Sequence, residues 1–73
     1  MKIAPTIAVR RVMRSMGYNT IYTNKYKTMR TVKCYGSSRE LQDAIKLTLF
    51  ALGIDVKIRT GVKYRSTIVQ LPL

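Results

Sequence analysis

Seventy-three residues leave room for one domain, and a core of this size supplies only roughly 3–5 kcal/mol of net stability. With 47% hydrophobic residues the chain reads as a folded protein rather than a basic tail, although 14 Lys and Arg against 3 Asp and Glu give a net charge of +11. The absence of His, a single Cys and only three carboxylates (Glu40, Asp43, Asp55) exclude the common acid–base and metal-binding constellations, so no catalytic residue, metal or cofactor is expected.

The first 36 residues hold eight bases and no acid, and residues 37–73 hold six bases and all three acids. The Arg-rich start could pass for an organelle transit peptide, but removing it would leave too little core, so it is read as part of the fold. A helix is expected from Pro5 to Met16, with proline in the first turn and Gly17 closing the end. Ala8, Val9, Val12, Met13 and Met16 share its apolar face, while Arg10, Arg11 and Arg14 project from the other side.

A hairpin follows from about Asn19 to Tyr35, turning near Asn24-Lys25. Tyr18 and Tyr22 are expected to cover the core. Met29, Val32 and Cys34 do not share one parity, which leaves the face of the second strand open. Cys34 lacks an intramolecular partner. It reads as a buried structural thiol and fits a reducing, cytoplasmic setting.

Ser37 and Glu40 have the spacing of a capping box and start a second, nearly neutral helix that ends at Gly53. Leu41, Ala44, Ile45, Thr48, Leu49 and Leu52 form its core face. Leu47 and Phe50 fall outside that stripe; they are either covered by the sheet edge or chain ends, or they form a dimer or partner contact. The apolar run from Leu47 to Ile54 is too short to span a bilayer, so no membrane association is expected. A second hairpin from about Asp55 to Leu71 turns near Thr60-Gly61, with Pro72 ending its last strand.

Aligned at an offset of 36, Gly17 meets Gly53, Val9 meets Ile45, Met13 meets Leu49, Tyr18 meets Ile54 and Val32 meets Ile68. The expected fold is therefore a single α+β domain over 1–73, a two-layer αββαββ arrangement. It has a four-stranded antiparallel sheet with two helices on one face, and a pseudo-twofold internal repeat with units of about 5–36 and 37–73.

The hairpins interleave bases with tyrosines. Lys and Arg hold phosphates, and Tyr rings stack on exposed bases, so the expected activity is non-catalytic binding of DNA or RNA, single strands before duplex. Arg10, Arg14, Lys25, Lys27, Arg30, Lys57, Arg59 and Lys63 are the phosphate candidates; Tyr26 and Tyr64 are the stacking candidates. No helix-turn-helix spacing, zinc knuckle or glycine clamp points to base readout. The alternative is a basic protein-interaction module, such as a virus-encoded inhibitor, that docks on an acidic surface of a larger enzyme through Leu47 and Phe50. Exposed strand edges and a small core also fit a homodimer. In size, charge and lack of His and Trp the composition resembles that of many small phage-encoded proteins, a likeness that involves no motif.

Overall fold

Two helices and four strands follow one another as α1 (Pro5–Ser15), β1 (Ile21–Tyr26), β2 (Met29–Tyr35), α2 (Arg39–Ala51), β3 (Lys57–Thr60) and β4 (Ser66–Pro72). The computed structural model describes residues 4–26, 28–61 and 65–72. The strands form one antiparallel sheet in the order β1-β2-β4-β3, so the molecule is an α+β fold with the expected order of elements.

Helix α1 has Pro5 in its first turn but no side-chain cap and no acid near its start. Packing must therefore hold it, and Val9 and Met13 are fully buried. Both helices end in the same way. Gly17 has φ +93°, with its N–H on the Arg14 carbonyl and the Tyr18 N–H on the Met13 carbonyl. Gly53 has φ +73°, with its N–H on the Phe50 carbonyl and the Ile54 N–H on the Leu49 carbonyl. These are Schellman motifs, in which the residue after glycine packs back toward the helix. Tyr18 and Ile54 accordingly lie against the core. Met16, expected on the buried face, is exposed because it is the C-cap residue, where the helical periodicity stops.

The start of α2 lies one residue later than the capping-box spacing implies. Ser38 is the N-cap, and its Oγ accepts from the Leu41 N–H at 3.1 Å. Glu40 is then the second helical residue instead of the third and cannot make the reciprocal bond. Ser37 accepts from Gln42 Nε2 at 3.1 Å instead. The choice follows from packing: Leu41, Ile45 and Leu49 are all fully buried, and Ser38 is the hydroxyl three residues before the first of them.

The first hairpin turns later than Asn24-Lys25, because β1 and β2 stay paired up to Tyr26 and Met29. A turn at Asn24-Lys25 would place Val32 opposite Gly17 and Cys34 opposite Ser15, at the end of α1, and leave them without a partner on β1. The observed register sets Cys34 opposite Ile21 and Val32 opposite Thr23. In the second hairpin β3 ends at Thr60, and the Gly61 N–H closes onto the Ser66 carbonyl at 2.9 Å, near the expected position. β4 ends at Pro72, also as expected.

The core is one cluster: Val9 and Met13 from α1, Leu41, Ile45 and Leu49 from α2, Val32 and Cys34 from β2, and Val69 and Leu71 from β4. Burial pushes the Cys34 thiol up against a smaller opposing effect of Thr67, and the group stays a neutral packing element.

Gly36, with φ +107°, ends β2 and ties the two halves together. Its N–H donates to the Arg65 carbonyl at 2.6 Å, and its own carbonyl accepts the Thr67 hydroxyl at 2.9 Å. The Tyr18 ring occupies the space where a Cβ would stand, at 2.6 Å, and its hydroxyl reaches Ser38 Oγ at 3.2 Å.

Two stability differences follow. Gly36→Ala meets both an unfavourable φ and the Tyr18 ring, and should cost about 2–4 kcal/mol in denaturant unfolding. Gly53→Ala opens onto free space and should cost only about 1–2 kcal/mol. Ser38→Ala should cost about 1 kcal/mol through the lost cap. Ser37→Ala should cost clearly less, and equal costs would contradict the position of the cap.

Candidate nucleic-acid interface

Strand pairing alone decides which side chains share a face. Val32, Cys34, Thr67, Val69 and Leu71 are buried, so residues of alternate parity point to the other side of the sheet. There the register sets Tyr22 opposite Lys33, Lys33 opposite Ile68, and Ile68 opposite Arg59. These four residues form one row across all four strands, spanning roughly 14 Å at ordinary strand spacing. The neighbouring row is Asn24, Thr31, Gln70 and Lys57.

Within the first row Tyr22 is 50% exposed, and Tyr35, on the same face, is 47% exposed. Their ring centroids lie 5.9 Å apart at an interplanar angle of 86°. Lys33 Nζ stands over the Tyr35 ring, 5.2 Å from its centroid. The edge-to-face contact suits the opposite charge of ring edge and ring face, and the ammonium sits where the ring's negative face attracts it. The arrangement holds a cation beside two accessible rings and can present phosphate-binding and stacking groups together.

Tyr22 was expected in the core and is not there. Its pairing with Lys33 gives it that residue's parity, opposite to that of Val32 and Cys34. Tyr18, by contrast, packs on the core as expected. Lys33 and Tyr35 are among the interleaved bases and tyrosines of the first hairpin but not among the contacts chosen from the sequence; what sequence reasoning missed is their grouping with Tyr22. The signal was available in Val32 and Cys34: both apolar and two apart, they fix Lys33 and Tyr35 on the outer face once Met29 is set aside.

The phosphate candidates read from the sequence do not converge on one surface. Lys57 and Arg59 are exposed on the open face, with Lys33. Lys25 and Arg30 pair with each other, and Arg30 pairs with buried Leu71, so both have the parity of the core side. Arg10 and Arg14 lie on α1; Arg14 is exposed, whereas Arg10 is half-buried and its Nε finds no partner among the described residues. Tyr26 pairs with Met29 at the hairpin end. Lys27, Lys63 and Tyr64 lie outside the described residues.

Leu47 and Phe50 are 70% and 82% exposed, so covering by neighbouring parts of the chain is not found among the described residues. They flank a shallow cleft of about 310 Å³ with Ile54 and Val56. No group of three potential metal ligands, and no helix long and apolar enough to cross a membrane, occurs among the described residues.

The edge-to-face pair should be measurable as a coupling. In a double-mutant cycle, Tyr22→Ala and Tyr35→Ala should show an interaction energy of about 0.5–1.5 kcal/mol. Independent effects would mean that the rings do not meet in solution. Compared with protein-family models and with curated proteins, the chain matches none.

Proposed function

We propose that this protein is a non-catalytic nucleic-acid-binding protein whose open sheet face takes single strands, with α1 adding phosphate contacts. The observation that carries the reading is the cluster of Tyr22, Lys33 and Tyr35 beside Ile68 and Arg59 on that face. A single strand offers unstacked bases to such rings and a flexible backbone to such cations, whereas a duplex keeps its bases stacked. A net charge of +11 supplies the long-range attraction and the counterion release. Lys33, Lys57 and Arg59 are the central phosphate ligands in this reading. Arg10, Arg14, Lys25, Lys27, Arg30 and Lys63 are outer ones, and Tyr26 and Tyr64 are further stacking candidates.

The proposal extends to the layout. The two helices form one layer on the core side of the sheet, and units 5–36 and 37–73 are related by a pseudo-twofold axis. Three observations support this. Equivalent strands take equivalent places, β2 and β4 inside and β1 and β3 outside. Both helices end in the same motif at an offset of 36 residues. A single core takes residues from both helices and from one side of the sheet.

The second reading, a module docking on an acidic surface of a larger enzyme, is favoured by the exposure of Leu47 and Phe50. It is the weaker one, because those two side chains share their cleft with Lys46 and Asp55 and not with the clustered bases. A basic docking surface would need apolar anchors among its cations.

Fluorescence anisotropy with labelled single-stranded DNA, duplex DNA and RNA of equal length, across a salt series, tests the proposal. Single strands should bind more tightly than duplex, with affinity falling steeply as salt rises. Tyr22→Ala or Tyr35→Ala should lose about 5- to 150-fold, the equivalent of 1–3 kcal/mol per stacked base. Lys33→Ala or Arg59→Ala should flatten the logarithmic salt dependence by about 0.7. Binding no tighter than roughly 10⁻⁴ M to every ligand near physiological salt would overturn the reading.

A further inference from the structure

We infer that the outer face of α2 is a homodimer interface, in which Leu47 and Phe50 of one copy pack against the same residues of a second copy. The inference does not depend on what the sheet face binds. Phe50 is the chain's only phenylalanine and the most exposed of its large hydrophobic residues described. Leu47 lies one turn before it, and the two border a cleft floored by Ile54 and Val56 and flanked by Lys46 and Asp55. On the opposite side of the same helix, Leu41, Ile45 and Leu49 already fill the core. The exposed pair is therefore surplus to folding. A contiguous apolar patch with a charged rim is the usual form of an interface between proteins.

Charge decides which partner fits. A chain of net charge +11 repels its own copies over most of its surface. All three acids of the sequence, Glu40, Asp43 and Asp55, lie on α2 or just after it, beside three bases, Arg39, Lys46 and Lys57. The other eleven bases have no acid among them. This stretch is thus electrically balanced, and two copies can approach through it with the least like-charge repulsion. A two-fold arrangement brings each patch against its own image, so the apolar centres meet and the mixed rim charges can pair between copies. A strongly acidic partner would be repelled by these three carboxylates and drawn to the basic parts of the chain instead.

Sedimentation equilibrium of the full chain, from micromolar to near-millimolar protein, provides the test. The mass should rise with concentration from 8.4 kDa toward twice that value. Added salt should strengthen the dimer, because it screens the net repulsion while leaving apolar contact in place. This is opposite in sign to the salt response of polyanion binding, so the two processes are read separately in one preparation. Phe50→Ser and Leu47→Ser should each shift the dissociation constant upward at least ten-fold. Both sites are exposed, so far-UV circular dichroism should stay near that of the wild type, as should the thermal midpoint at concentrations where the wild type is monomeric. A wild-type chain that remains at 8.4 kDa throughout overturns the inference, whatever the variants do. So does a dimer that survives both substitutions or weakens with added salt.

Discussion

The antiparallel pairing of β2 with β4 is the constraint on which the rest of this structure depends. It joins a strand from the first half of the chain to one from the second, with Val32 opposite Val69 and Cys34 opposite Thr67. Because successive strand residues alternate faces, that one register fixes both sides of the sheet. It sends Val32, Cys34, Val69 and Leu71 into the core, and it sends Lys33 and Ile68 outward. A slip of one residue would bury Lys33 and expose the apolar set. The backbone around Gly36 secures the register, since its N–H and carbonyl are bonded to Arg65 and Thr67 at the start of β4. The same glycine leaves room for the Tyr18 ring, which links the end of α1 to the cap of α2 through Ser38. A small core is thereby closed at the point where its two halves meet.

The helices were legible in the sequence because their signals are local. Pro5, Gly17 and Gly53 mark the ends of α1 and α2, and apolar spacing marks the buried faces. The four-stranded antiparallel sheet followed from the order of elements. What local signals could not settle were choices made by tertiary packing. Ser37 and Ser38 are chemically equal as caps, and the need to point Leu41 inward selected the second. Asn24-Lys25 has good turn chemistry, yet β1 continues through it because Val32 and Cys34 need partners across the sheet. Tyr22 pairs with Lys33, not with Val32 or Cys34, and an expected core residue is therefore part of the open face. The site was less legible than the fold because a single step of strand parity separates a core tyrosine from an exposed one, and composition is blind to it.

Positive charge alone would have spread the candidate site over the whole molecule, as the placement of Lys25, Arg30, Arg10 and Arg14 on other surfaces demonstrates. The pairing pattern narrows it. Among the described residues, cations and aromatic rings coincide on the open face, and there the rings contact each other as well as Lys33. Coincidence matters because a cation alone holds any polyanion, while a ring adds affinity only where bases are accessible. The charge explains attraction; the aromatic cluster narrows what is attracted.

The acids are as informative as the bases. A chain this short has little stability to spare, and a net charge of +11 works against compaction. Scattering three acids among fourteen bases would relieve repulsion most evenly. Instead they are gathered on and beside α2, which leaves α1 and the sheet face without an acid. That distribution forgoes intramolecular relief where the bases are densest, so the relief has to come from outside, from counterions or from a bound polyanion. Whatever binds there stabilises the folded state by mass action, since the unfolded chain holds the same charges at lower density. The two surfaces of the molecule then have separate physics. One is cationic and carries exposed aromatic rings, so salt would weaken any polyanion's hold there; the other is nearly neutral and apolar at its centre, so salt would favour an apolar contact there. Because the groups that define them lie on different elements, substitutions on one face can be interpreted without disturbing the other.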